Sequence, residues 1–184
     1  MRSIELITTH CRLRLPHPND SYSIQRYHLN NRAFFKAWLP TYSSKRFELD
    51  GITEHTTHLL QEYLKGNTLP LLVMGRRSNR LLGRINYTKI QRGNLQACFV
   101  GYQINEEDTG KGLMTESLQV SNQYVFDALH LHRINAYIMP HNTPSMRLAE
   151  KLGFEQEGLA KAVLKIDGAW RDHWSYALIN PAHL

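Results

Sequence analysis

Cysteine is almost absent from this sequence: Cys11 and Cys98 are the only two in 184 residues, and they share no CxxC. That excludes a disulfide framework and a cysteine-based zinc site. Long apolar runs are missing too. The longest, "LPLLVMG", is far short of a membrane span. The first residues, "MRSIELITTHCRLRL", contain no apolar h-region, so the sequence predicts no secretory leader, no membrane association and a cytoplasmic protein. No repeat, low-complexity tract or linker interrupts the chain, and its 42% hydrophobic and 21% charged content is that of an ordinary globular protein. One domain over residues 1–184, large enough for a core without metal or disulfides, is the expectation. Nothing in the pattern signals an oligomeric state.

Acidic residues are absent from a long central stretch. Between Tyr63 and Asn105 there is no Asp or Glu, while Lys65, Arg76, Arg77, Arg80, Arg84, Lys89 and Arg92 all fall there. The net charge of +6 therefore sits in this block, the remainder holding 15 basic against 16 acidic residues. A one-signed block suggests an anionic partner, either RNA or a phosphorylated cofactor, or else a solvated basic hairpin. No aromatic-interleaved nucleic-acid motif accompanies it.

The hydrophobic pattern orders the chain. "CRLRL" alternates like a strand; helical segments follow over about 21–38, with a break near Leu29–Asn31, and over about 51–65. "TLPLLVMG", "LLGRINYTKI" and "NLQACFVGYQI" read as an antiparallel meander. A helix is expected over about 112–129, with Met114, Leu118, Val125 and Leu129 as its apolar stripe. "RINAYIM" reads as a strand, and Thr143 with Pro144 should open a further helix, Thr as cap, which Gly153 closes. "VLKIDGAWRDHWSYALI" reads as a hairpin around Asp167–Gly168. Strands first, then alternating strands and helices, predict an α/β sandwich on a mixed sheet.

The segment "EEDTGKGLMTESL" sets two glycines at a helix start, Gly110 and Gly112, with Lys111 between them. Free N–H groups at such a start favour an anion. It is neither a GxxxxGK[ST] phosphate loop nor a dinucleotide fingerprint, because Thr115 stands where the third glycine would be. Read alone, a GxG before a helix also serves as a packing turn.

The order "GYQI", acidic linker, "TGKGLM", long helix, strand, "HNTPS", short helix and "EKLGF" resembles the GCN5-related N-acetyltransferase (GNAT) family over essentially the whole chain. It is most similar to the RimJ/RimL branch, whose members acetylate N-terminal amines of ribosomal proteins; "LHRINAYIMPHNTPS", "LGFEQEGLAK" and "IDGAWRDHW" resemble RimJ-type members. The resemblance implies a mixed, mostly antiparallel twisted sheet flanked by helices. It implies acetyl-CoA as donor, with its diphosphate on the amides of Gly110, Lys111, Gly112, Leu113 and Met114. It also places the pantetheine arm along Tyr102, Gln103 and Ile104, and Asn142 near that arm, although an Asn before a helix can equally be a cap. The implied acceptor is the N-terminal alanine of a ribosomal protein, with the basic 63–105 segment as a possible ribosome or rRNA contact and no metal. Two rivals remain: acetylation of a small amine such as a polyamine or antibiotic, and an RNA-adjacent ribosome-assembly protein on the same fold.

Four departures from the family pattern bear on chemistry. Thr109 and Met114 replace the usual Gln/Arg and Gly/Ala, Met114 being shared with RimJ-type members. Ala149 stands where many relatives place a general-acid tyrosine, and "NLQACFVGYQI" contains no glutamate. An α-amino group with a pKa near ~7.8 costs only about 0.5–0.7 kcal/mol to deprotonate at pH 7.4, against about 4 kcal/mol for a lysine. The missing acid therefore disfavours a lysine acceptor more than it disfavours catalysis. His141, beside Asn142, is the candidate base. Asp167 and Asp172 could hold substrate charge or simply shape the hairpin. Trp38, Trp170 and Trp174 are expected as core or pocket walls, and His130 and His132 lack the further ligands a metal would need.

Overall fold

The computed structural model describes residues 4–183. Eight strands form one sheet in the order β1-β2-β3-β4-β5-β6-β8-β7. They are β1 (Glu5–Ile7), β2 (Cys11–Arg14), β3 (Leu69–Gly75), β4 (Leu81–Gln91), β5 (Ala97–Ile104), β6 (Arg133–Ile138), β7 (Glu155–Ile166) and β8 (Ala169–Ile179). Every neighbouring pair is antiparallel except β5–β6. The helices are α1 (Ser21–Asn30), α2 (Arg32–Lys36), α3 (Leu49–Leu64), α4 (Leu113–Asp127) and α5 (Thr143–Lys151).

The parallel pair requires a crossover, and α4 supplies it. Its stripe of Met114, Leu118 and Val125 is buried, with Leu129 partly buried beyond its end, and it packs on alternate β4 residues Ile85 and Tyr87. At the middle of this contact the Tyr87 hydroxyl donates to Asn122 Oδ1 at 2.7 Å and meets Ser121 Oγ at 2.8 Å. The opposite sheet face carries α1, α2 and α3 over a second core of Ile24, Tyr27, Phe35, Ile52, Leu72, Met74 and Leu81.

Most expected elements lie where the periodicity put them. The break near Leu29–Asn31 is the junction of α1 and α2. One expectation is corrected. Thr143 does not cap α5: Asn142 is the cap, its side chain accepting from Ser145 N at 3.2 Å, and Thr143 and Pro144 are already helical. Proline fits there because the first helical N–H groups have no intrahelical acceptor. The edge strand β1, three residues with alternating exposure, was outside the sequence reading.

Tyr87→Phe is expected to lower the unfolding free energy by about 1–3 kcal/mol, because it removes the donor to the buried Asn122 Oδ1, while Ser121 keeps its bond to Ser117 O. Urea unfolding checks this: the midpoint should fall with an unchanged slope.

Candidate active site

β5 and β6 pair over only three positions, Ala97↔Arg133, Cys98↔Ile134 and Phe99↔Asn135. Past that point each strand stays zipped to its other neighbour, β5 to β4 as far as Ile104↔Gly83 and β6 to β8 as far as Ile138↔Trp174. The two halves of the sheet therefore part. The edge of β5 from Val100 to Ile104 faces a gap rather than a strand. Asn135 closes the apex: its Nδ2 donates to Cys98 O at 3.0 Å, while Arg133 Nε holds its Oδ1 at 2.6 Å. Tyr102 reaches across, its hydroxyl donating to Ser145 O in α5 at 3.2 Å, and burial pushes that phenol up to about 12.

The glycine loop runs from the end of β5 into α4. Gly110 and Gly112 have φ of 75° and 76°, and a Cβ at either would meet nothing within 4 Å. Their need for glycine is thus conformational, and the space beside them is open. Gly112 is the cap residue of α4 and makes no side-chain cap, so the first-turn amides of α4 are presented outward. Met114 turns its side chain into the core and Leu113 is half-buried, which leaves their backbone amides as the groups available to a ligand. The Lys111 ammonium is engaged by Asp108 at 3.0 Å.

Asp108 organises this loop. It is 3% exposed and takes hydrogen bonds from Lys111 Nζ, Arg80 Nη2 (2.7 Å) and Asn105 Nδ2 (3.1 Å). Burial alone would raise its pKa, but the hydrogen bonds from Lys111 and Asn105 and the charge of Arg80 hold it below the ordinary value. Asn105 in turn accepts from Asn31 Nδ2 at 2.8 Å, tying the loop to the end of α1. An extended edge, open glycine amides and an uncapped helix start fit the pantetheine and diphosphate of coenzyme A.

A second feature lies one strand away, on the α1–α3 face. A cavity of about 190 Å³ is walled by α1, the α2–α3 connection, α3 and the three strands β3, β4 and β5. Arg84, Asn86 and Thr88 point into it from alternate positions of β4, and Gln103 joins them from β5 opposite Arg84. Between Phe99 and Gln103 on this face stands Gly101, exposed, where a Cβ would meet nothing within 4 Å. The way from the cavity to the bare β5 edge is therefore open.

Of the sequence-predicted residues, Tyr102, Gln103, Ile104, Gly110, Lys111, Gly112, Leu113 and Met114 all lie along β5 and the loop after it. Asn142 and His141 stand across the gap, at the β6–α5 junction. Asn142 Oδ1 is used as a helix cap. His141 is exposed, its ring against Trp38 with centroids 5.2 Å apart. Asp172 accepts from Ala162 N at 2.8 Å and Asp167 has a φ of 45°, so both shape the β7–β8 hairpin. Trp170 is not a wall but lies exposed near the hairpin tip. Sequence reasoning missed His173, a buried β8 imidazole whose Nδ1 donates to Arg171 O at 3.0 Å and whose pKa burial lowers. The alternation in "RDHWSYALI" was the available signal. Among the described residues no group of three or more His, Cys, Asp or Glu could hold a metal, and no helix is long and apolar enough to cross a membrane.

Asp108→Asn is expected to cost about 1–3 kcal/mol of stability and to weaken coenzyme A binding, because it removes the partner of Lys111, leaves Arg80 with Glu107 alone and loosens the loop. Calorimetric titration with coenzyme A, beside a thermal melt of the same variant, checks both.

The family model described as the acetyltransferase (GNAT) domain matches residues 10–155. The ribosomal protein uS5-alanine N-acetyltransferase of Escherichia coli (strain K12) is 35% identical over 178 residues, 97% of this chain and 92% of that protein. A probable N-acetyltransferase of Bacillus subtilis (strain 168), YjcK, is 36% identical over 151 residues, 82% of this chain and 83% of its own. The crystal structure of a ribosomal-protein-S5-alanine acetyltransferase from Vibrio fischeri matches with a TM-score of 0.92 at 31% identity, covering 97% of each chain. Mycobacterium smegmatis RimJ in complex with CoA-disulfide matches at 0.89 and 29% identity, over 95% of this chain and 83% of that one. With its parted strands, its glycine loop and these relatives, the chain belongs to the GNAT family of acetyltransferases.

Proposed function

We propose that the protein transfers an acetyl group from acetyl-CoA to the N-terminal amine of a ribosomal protein, an alanine, by direct attack of the neutral amine on the thioester. The observation that carries this reading is the bare β5 edge joined at Gly101 to a separate cavity on the other side of the strand. A ternary complex needs such an arrangement, one channel for the donor and one for the acceptor. The Escherichia coli and Vibrio fischeri relatives, named for the alanine of a ribosomal protein, support the choice of acceptor.

When bound, acetyl-CoA supplies an activated carbonyl and a thiolate leaving group. The amides of Gly110, Lys111, Gly112, Leu113 and Met114 would receive its diphosphate, and the unpaired edge at Tyr102, Gln103 and Ile104 its pantetheine arm. Backbone N–H groups on that edge are also available to the negative charge that develops on the carbonyl oxygen. The acceptor amine enters over Gly101. His141, on the far side of the gap and open to solvent, takes its proton.

The rivals fare differently. The cavity is lined by His28, Arg46, His55 and Arg84 and by no carboxylate, which speaks against a polyamine. The basic segment does not form one face. Arg76, Arg77 and Arg80 stand at one end of β4, and Lys65, Lys89 and Arg92 at the other, roughly 35 Å away. Arg84 is inside, Arg80 pairs with Glu107 and Asp108, and Arg92 donates to Leu129 O. That dispersal weakens the reading as an rRNA-binding module, and a ribosome contact through this segment rests on its charge alone.

Labelled acetyl-CoA and ribosomal proteins isolated unacetylated should give one labelled N-terminal alanine by mass spectrometry. Acetyl-CoA binding without any labelled protein would sink this acceptor assignment. His141→Ala is expected to lower kcat/KM at neutral pH by about tenfold to a hundredfold with donor binding unchanged. An unaltered kcat/KM would mean that the amine loses its proton to water instead.

A further inference from the structure

Among the described residues five buried side-chain polar atoms have no hydrogen-bond partner, and four of them line the acceptor cavity: Thr68 Oγ1, Arg84 Nε, Asn86 Oδ1 and Gln103 Oε1. Buried polar groups are normally satisfied, so their convergence on one space points to an absent ligand. Arg84 is the strongest case. It is 8% exposed, and its contact with a hydrogen-bonding group is from Nη1 to His28 Nε2 at 3.1 Å. A guanidinium only donates, so His28 Nε2 accepts and the imidazole is neutral.

The second cation repeats the pattern. Arg46, half-buried, lies 4.7 Å over the Tyr42 ring and makes its shorter bond from Nη2 to His55 Nε2 at 2.9 Å. Burial pushes His28 down to about 3 and His55 to about 4, as imidazoles held beside guanidinium groups require. Two guanidinium groups thus share a cavity that no carboxylate lines. Buried charges are ordinarily paired.

We propose that this cavity is a carboxylate subsite for the acceptor: Arg84 and Arg46 receive an acidic group borne by the acceptor near the amine that is acetylated. The planar guanidinium fork matches a carboxylate, and Thr68 and the neutral His28 and His55 add uncharged polar walls. At about 190 Å³ the space takes a side chain of Asp or Glu size rather than a folded segment. The amine itself stays at Gly101, because a cationic pocket rejects an ammonium. In a peptide acceptor the carboxylate is the side chain of an acidic residue close behind the N-terminus; in a small acceptor it is the α-carboxylate.

This inference deepens the acetyltransferase reading and rests on it, so the test has one arm that needs no turnover. Alanine-initiated hexapeptides with a single Glu at position 2, 3, 4 or 5 are compared with their Gln counterparts for kcat/KM. Free amino acids and dipeptides serve as small acceptors, and binding of glutarate is measured separately by calorimetry. One Glu peptide should exceed its Gln partner by about tenfold or more, and that advantage should vanish in Arg46→Gln and Arg84→Met while acetyl-CoA binding is retained. Preference for free amino acids or dipeptides over every peptide would assign the subsite to an α-carboxylate. Equal rates for Glu and Gln peptides, with no glutarate binding, overturn the subsite and leave the acetyltransferase standing. Glutarate binding that Arg46→Gln abolishes, without acetylation of any acceptor, supports the subsite and sinks the acceptor reading alone. Arg46→Gln lies at the cavity rim, so the comparison survives if Arg84→Met fails to fold.

Discussion

Everything functional in this molecule depends on a pairing that stops. Three residue pairs join β5 to β6, and then both strands keep their other partners and separate. Neither half of the sheet loses its own ladder, so the gap carries little cost beyond the unpaired edge between Val100 and Ile104. An edge of free N–H and C=O groups inside a protein invites an extended ligand as an added strand. The Asn135 bond to Cys98 O fixes where the parting begins, and the Tyr102 bond to Ser145 O fixes how α5 sits over it.

Two buried ionisable groups lie on the β4–β5 side of that parting, and they are treated in opposite ways. Asp108 is surrounded by Lys111, Arg80 and Asn105, so its charge is balanced within the chain and the glycine loop is held whether or not a ligand is bound. Arg84, one strand further in, has only a neutral imidazole. Desolvating a cation without a counter-charge is costly, and its pKa is lowered chiefly by that burial. The glycine loop is thus charge-balanced within the chain, while the cavity holds a buried cation with no carboxylate beside it.

The difference explains what could be read from the sequence. The donor side is contiguous: "VGYQI", "EEDTGKG" and the first turn of α4 follow one another, so local rules of alternation and glycine conformation expose it. The meander and the 113–127 helix were legible for the same reason. The cavity was not. His28, Arg46, His55, Arg84 and Gln103 come from five elements or connections, and their meeting depends on how α1 and α3 cross the sheet. The basic segment was visible as a charge excess, yet its members divide between the two ends of β4, the Asp108 cluster and the cavity. The cap of α5 shows a smaller limit: Asn142 and Thr143 are both good cap residues, and only the backbone geometry decides between them.

The lack of a carboxylate base on β5 fits the same cavity. At an effective dielectric constant of 20, a guanidinium at a separation on the order of 8 Å would disfavour an ammonium by about 2 kcal/mol. That is more than the roughly 0.5–0.7 kcal/mol needed to deprotonate an N-terminal amine in water near pH 7.4. With two guanidinium groups and one acceptor carboxylate the proposed subsite would keep an excess positive charge and favour the neutral amine. A strong carboxylate base on β5 would work against this, both by attracting the proton and by pairing with Arg84. The absence of an acid from "NLQACFVGYQI" is then compatible with the presence of Arg84 opposite Gln103: under the proposed subsite the field of the pocket would lower the demand on His141 as the proton acceptor.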